Sequence, residues 1–335
     1  MHPELAIKEY NGIQAVVNRI TPHIPPCMER MHIWLNTLPA ETRKGFQEQA
    51  HHQVFSYIDT YGGVAEPAVP QGQTLLALIN RRHTDYIADK RVLGELVAEH
   101  HLLDWSPRTF TDVRAAADFT ANHRHSIIFC KGRYGTAGEQ VRCIKTSDLA
   151  SFTLGENEIL QEAVIHPELY ENRKMVFRVY VLIHNANLYY NDRFFAVIHG
   201  VDYDPDSDAH EIQVKHSGYD RPGSPIKLVP VHFFASYRHY VARIQALLCR
   251  AEPIFRPIVA ESSQSRYMLL GADMIPTVDG GMKLIEVNNY PNMIHTPSVN
   301  AEVNIPMITG VMKRVLFDAA DDYWHPLALP QAPIG

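Results

Sequence analysis

Three residues near the C-terminal end of the chain have the types and spacing of hard-cation ligands. In the stretch KLIEVNNYP, Lys283 to Pro291, Glu286 and Asn288 interrupt an otherwise apolar strand. Side chains alternate along a strand, so Leu284, Glu286 and Asn288 are expected on one face and Ile285 and Val287 on the other. The upstream run YMLLGADMI is the natural hairpin partner, and Asp279-Gly280 between the two is a favoured two-residue loop. With Val278 paired to Gly281, counting outward sets Asp273 opposite Glu286 and Asn288 opposite Gly271. Directly opposed carboxylates have Cβ atoms roughly 4.5–5.5 Å apart and repel each other. Such a pair persists when a cation lies between them, or when one carboxyl is neutral. Oxygen donors without His or Cys suit Mg²⁺, which takes one or two carboxylates and completes its octahedron with water and phosphate oxygens. The competing reading leaves Asp273 and Glu286 as solvated residues on an exposed strand face.

Cations upstream suggest what such a metal would accompany. Lys131 ends an apolar strand and precedes GRYGTAG, whose glycines let backbone N–H groups approach a phosphate. The order differs from GxxxxGK[ST], because the lysine comes before the glycines, and a plain hairpin tip is the alternative. A second set is Lys174, Arg178 and Arg193. Lys174 and Arg178 share strand parity and can face one triphosphate, with Arg193 arriving from the partner strand. Taken singly, each of the three is equally read as surface charge.

The elements that must position these residues are readable in outline. To about residue 80 the chain reads as helices broken by Pro22, Pro25 and Pro26, followed by a turn-rich stretch and the short strand TLLALIN. TDYIADKRVLGELVAEHHLL has helical spacing. HSIIFCKGRYGTAGEQVRCI reads as a hairpin with the glycine run at its tip, and EILQEAVI as a further short strand. MVFRVYVLIHNANLYYNDRFFAVIHG reads as two antiparallel strands interrupted at HNAN. A helix over FASYRHYVARIQALLCRAE precedes the YMLLGADMI hairpin, another lies near PMITGVMKRVLFDAADD, and the tail HPLALPQAPIG is expected to fray.

Composition bounds the rest. At 335 residues the chain exceeds what one core supports, so two or three units are expected. A formal charge of −6 disfavours a general electrostatic footprint for nucleic acid or anionic membranes, although a local basic groove remains compatible with it. Four scattered cysteines signal neither a disulfide framework nor a thiolate zinc site, and the nineteen histidines lack HExxH spacing. No leader pattern or membrane-length apolar run stands out. A reduced, cytoplasmic setting is the expectation.

Read together and in order, DYIADKRVLGELV, IIFCKGRYGTAGEQV, ILQEAVIHPELYENRKMVFRVYVLI, NDRFFAV, MLLGADMI and LIEVNNYPNM resemble the tubulin tyrosine ligase-like branch of the ATP-grasp ligases over roughly residues 80 to 315. The resemblance implies an α+β ATP-grasp fold, with nucleotide held between two α+β subdomains with antiparallel sheets. A small N-terminal domain at 1–84, a central subdomain at 85–163, a C-terminal subdomain with the metal site at 164–325 and a tail at 326–335 would follow. It implies ATP and Mg²⁺ as cofactors. Lys90 and Lys131 would approach the phosphates, and Gln161, Glu162, Ala163 and Val164 would form the hinge that holds adenine. Lys174 would contact the nucleotide, Arg178 and Arg193 would neutralise the γ-phosphate and the acyl phosphate formed from it, and Asp273, Glu286 and Asn288 would ligate magnesium. In one departure, Val176 stands where the family has an aspartate two residues after the lysine.

The implied reaction joins a carboxylate to an amine through an acyl phosphate. A net acidic chain without an extended basic run favours amino acids or short peptides as substrates over an acidic protein tail, with neither nucleic acid nor membrane as partner. A protein-tail ligase, a kinase acting on a hydroxyl, and a binding module that has lost activity are the alternatives.

Overall fold

Residues 5–59, 64–123, 125–134, 138 and 140–327 are described by the computed structural model. The N-terminal segment holds strands that its prolines conceal. β1 (Lys8–Tyr10) and β2 (Ile13–Val17) form a hairpin, α1 (Ile24–Thr37) and α2 (Ala40–His51) follow, and β3 (Gln53–Tyr57) and β4 (Thr74–Leu78) complete the segment. Pro25 and Pro26 lie in the first turn of α1, where a missing N–H costs no helical hydrogen bond. These prolines therefore start a helix instead of breaking one. β2, β3 and β4 are parallel neighbours, and β3 and β4 each bury an apolar run.

The expected amphipathic helix is divided into α3 (Asp85–Ala88) and α4 (Lys90–Glu99). Asp89 sits between them and caps α4, its carboxylate accepting the Arg91 N–H at 3.0 Å. Capping fixes the start of α4 and places Lys90 at its first turn. β5 (Thr109–Phe110), α5 (Val113–His123), β6 (Ile127–Gly132), β7 (Val141–Lys145) and β8 (Glu158–Glu162) come next. The four strands form a separate antiparallel sheet in the order β5-β8-β6-β7. The expected β6–β7 hairpin is present, while Gly135, Thr136, Ala137 and Glu139 at its tip lie outside the described residues.

The remainder comprises β9 (Leu169–Tyr170), β10 (Arg173–His184), β11 (Asn187–Asn191), β12 (Phe195–Ile198), α6 (His210–Gln213), β13 (Lys227–Pro230) and α7 (Tyr237–Glu261). β14 (Arg266–Pro276), β15 (Met282–Asn288), α8 (Pro297–Val299), α9 (Ile305–Phe317) and β16 (Trp324–Pro326) close the chain. These strands join the N-terminal ones in a sheet whose main path is β1-β2-β3-β4-β14-β10-β11-β16, with β15 on β14 and β12 on β10. Asn185 and Ala186 both have positive φ, the two-residue geometry that joins β10 to β11. The large sheet is mixed, since β4 runs parallel to β14. Its N-terminal strands thus extend the sheet that carries the metal-type residues. Among the described residues, no helix is long and apolar enough to cross a membrane.

The β14–β15 hairpin reaches the expected pairing by an unexpected route. Asp273 lies opposite Glu286 and Gly271 opposite Asn288. The loop, however, closes one residue earlier than the Asp279-Gly280 reading requires: the Thr277 N–H donates to Gly281 O at 3.1 Å, and Pro276 pairs with Met282. A three-residue tip, Val278 to Gly280, results, with Gly280 at φ +86°. The one-residue offset is cancelled by a bulge that leaves Ile285 unopposed between the Met274–Leu284 and Asp273–Glu286 pairs. The bulge also corrects the expected alternation. Leu284 is buried with Val287 in the main core, and Glu286 and Asn288 share the opposite face.

Candidate functional site

Two sheets face each other across the residues singled out above. On the large sheet, β10 presents Lys174, Val176 and Arg178 in one parity, and its neighbour β14 presents Asp273 opposite Arg178. Arg178 grips Asp273 bidentately, with Nε to Oδ1 at 2.5 Å and Nη2 to Oδ2 at 3.0 Å. Glu286 on β15 receives the Lys90 amine at 3.3 Å from the start of α4. The Asn288 amide donates to Glu286 Oε1 at 3.3 Å, leaving its Oδ1 without a donor among the described residues. Gly271 is needed here, because a Cβ would stand 2.7 Å from Pro291 Cβ and 3.1 Å from Arg178 Cδ.

From the smaller sheet, Lys131 on β6 points into the same gap and donates to Gln161 Oε1 on β8 at 2.6 Å. Lys174 donates to the Gln213 carbonyl at 2.9 Å. The Phe129 ring is close to both amines, 5.6 Å from Lys131 Nζ and 5.2 Å from Lys174 Nζ. Phe129 also packs with Ile127, Val214 and Ala163 in a small apolar cluster on the smaller sheet. Such a wall suits a flat aromatic ligand, with the amines at its edge.

Electrostatics at the site are out of balance. Burial pushes the Lys131 amine down to about 8, with Lys90 adding to the effect against Glu286 and Asp273. Burial and then Lys131 bring the Lys174 amine to about 8. Burial acts to raise the Glu286 carboxyl, but Lys90 and Lys131 outweigh it and hold the group at about 2. Asp273 moves the other way: burial and the facing Glu286 raise its carboxyl against the pull of Arg178. Among the described residues, Lys90, Lys131, Lys174 and Arg178 thus face the two carboxylates Asp273 and Glu286. A chain that is net acidic concentrates positive charge here, as a polyanion would require.

The donor chemistry fits a hard divalent cation. Asp273, Glu286 and Asn288 offer oxygens on one sheet face and no nitrogen or sulfur ligand. Among the described residues, no group of three His, Cys, Asp or Glu side chains gathers, so water or ligand oxygens would complete a coordination shell.

No family model matches the chain, and no curated protein does. Among solved structures, it is similar to the C-terminal domain of K. lactis Pby1, described as an ATP-grasp enzyme interacting with the mRNA decapping enzyme Dcp2. The TM-score is 0.60 at 16% sequence identity, covering 95% of this chain and 99% of that one. The fold is ATP-grasp.

Most of the predicted residues meet in the gap of this ATP-grasp fold, but not all. Ala163 and Val164 follow the end of β8, with Ala163 in the Phe129 cluster. Glu162 turns away: its carboxylate accepts the Arg108 N–H at 3.0 Å and lies 3.2 Å from His125 Nε2. Arg193 meets neighbours that the sequence did not suggest. Residues 191–194 lie between the β10–β11 and β10–β12 registers, and Asn191 Oδ1 accepts the Arg193 N–H at 2.9 Å. The guanidinium stacks over Tyr323 at 4.7 Å. Phe129 was missed, although it shares strand parity with Lys131 two residues away. Asp89 was also missed; beyond its cap it binds Arg133, tying α4 to the end of β6.

Proposed function

We propose that the chain is an ATP-dependent carboxylate–amine ligase acting on amino acids or short peptides. The observation that carries this reading is the excess of buried cations facing two carboxylates across the gap between the sheets. In it, the triphosphate lies along Lys131, Lys174 and Lys90, and the adenine lies against Phe129 and Ala163. Asp273, Glu286 and Asn288 would hold Mg²⁺, which supplies charge neutralisation to the phosphate oxygens when bound.

A substrate carboxylate oxygen attacks the γ-phosphorus, and the bridging bond to ADP breaks with its electron pair leaving on ADP. An amine then attacks the acyl carbon, phosphate departs, and the amine gives up a proton. Arg178 is placed beside Asp273 to stabilise negative charge spread over the transferring group. Enclosure between the sheets limits hydrolysis of the acyl phosphate. Val176 stands between Lys174 and Arg178 on the same parity, so the apolar side chain leaves that stretch without a carboxylate. The reading is tested by assaying ADP and phosphate release against an amino acid panel. Release dependent on two amino acids is expected. Release that requires a protein acceptor instead would move the assignment to a protein-tail ligase, and transfer without phosphate release would make it a kinase.

A further inference from the structure

A cavity of about 470 Å³ opens at the carboxyl ends of the parallel strands β3 and β4, where it meets Tyr290, two residues beyond Asn288. Its size falls within the range of roughly 300–1,000 Å³ seen for small-molecule sites. Crevices outside the carboxyl ends of parallel strands are recurrent binding positions, because loops diverge there. One wall is aliphatic, formed by Ile58, Val64 and Ile79. Ser56 is 1% exposed on the same lining, and its Oγ has no hydrogen-bond partner among the described residues. A buried hydroxyl in that state is costly unless something fills the cavity and pairs with it.

Charge on the lining is largely spoken for. Arg266 Nη2 pairs with Glu66 at 3.0 Å, and His83 Nδ1 lies 3.2 Å from Glu261. Arg82 differs: its Nε donates to His83 Nε2 at 2.7 Å, and no carboxylate pairs with it among the described residues. The cavity therefore combines one guanidinium open to an anion, an aliphatic wall and a buried hydroxyl.

We propose that this cavity binds the amine donor, a free aliphatic α-amino acid. The carboxylate lies on Arg82, the side chain lies against Ile58, Val64 and Ile79, and the amine is directed toward Tyr290 and the hairpin. An amine donor keeps its carboxylate unreacted, so a guanidinium can hold it throughout the reaction. The assignment rests on the ligase reading for the ligand's role, but binding itself is testable without turnover.

Saturation-transfer NMR with L-leucine and L-leucinamide, in the absence of nucleotide, supplies that test. Wild-type protein is expected to bind L-leucine in preference to the amide. Arg82→Ala should weaken L-leucine by about tenfold and erase the preference, with Arg82→Lys recovering part of it. Ala77→Leu, which narrows the cavity, should weaken both ligands. L-leucine binding unchanged in Arg82→Ala, or no binding of either compound to wild type, would overturn the proposal. Failure of the ligase reading shows separately, as absence of ADP release with any amino acid pair.

Discussion

Lys131 and Lys174 are costly to bury as cations, and that cost gives the site a pH signature. Their amines titrate at about 8 in the folded chain against 10.5 ordinarily. Between those values the unfolded chain holds more protons, so the contribution of these two groups to stability rises with pH across that window. A bound polyanion reverses the shift by favouring the charged amines. Calorimetry of Mg·ATP binding one unit above the lowered pKa is therefore expected to show proton uptake, read as a dependence of the heat on buffer ionisation enthalpy; a buffer-independent heat would contradict it. Glu286→Ala should reduce turnover by on the order of 10²–10³-fold while circular dichroism and a cooperative melt are retained, since it removes an oxygen donor from a polar face. At this scale the sequence was informative where chemistry and parity coincide, as for Lys174, Arg178, Asp273 and Glu286. It did not foresee the surroundings of Arg193, whose N–H donates to Asn191 Oδ1 and whose guanidinium lies over Tyr323.

Among the elements, the β14–β15 hairpin shows how a correct pairing can follow from an incorrect loop. Asp279-Gly280 suggested a two-residue turn, yet Asp279 Oδ1 instead accepts from the Gly281 N–H at 3.0 Å and from Thr277 Oγ1 at 2.6 Å, holding a three-residue tip. The bulge at Ile285 then restores the register. Alternation alone does not locate a bulge, which explains why Leu284 was assigned to the wrong face. Gly280 sits at φ +86° with open space around it, so Gly280→Ala introduces backbone strain without a clash. Its expected cost is about 1 kcal/mol in a urea melt. The kcat should be unchanged, because the bulge, not the tip, sets the Asp273–Glu286 pairing. A drop in kcat to match the loss of stability would assign the register to the tip.

For the whole molecule, the N-terminal segment is part of the sheet that bears the site. Strands β2 to β4 continue into β14 through Ala77–Arg266 and Leu78–Tyr267, and the Tyr267 hydroxyl donates to Ser56 O at 2.8 Å. Removing residues 1–84 would expose the edge of β14 and strip the aromatic stack of Phe55 on Tyr267. Such a fragment is expected to aggregate or to lose its cooperative melt, whereas a soluble, cooperatively folding fragment would show the two parts to be independent. This continuity was not legible in the sequence, because β1, β2 and β3 are short and neighbouring prolines resemble helix breakers. The central claim is tested most directly by mass spectrometry of products after incubation with ATP, Mg²⁺ and pooled amino acids. A species equal to two amino acids less one water, appearing with stoichiometric ADP and phosphate, is the predicted result. A phosphorylated product with no phosphate released, or no nucleotide turnover with any amino acid or peptide, would contradict it.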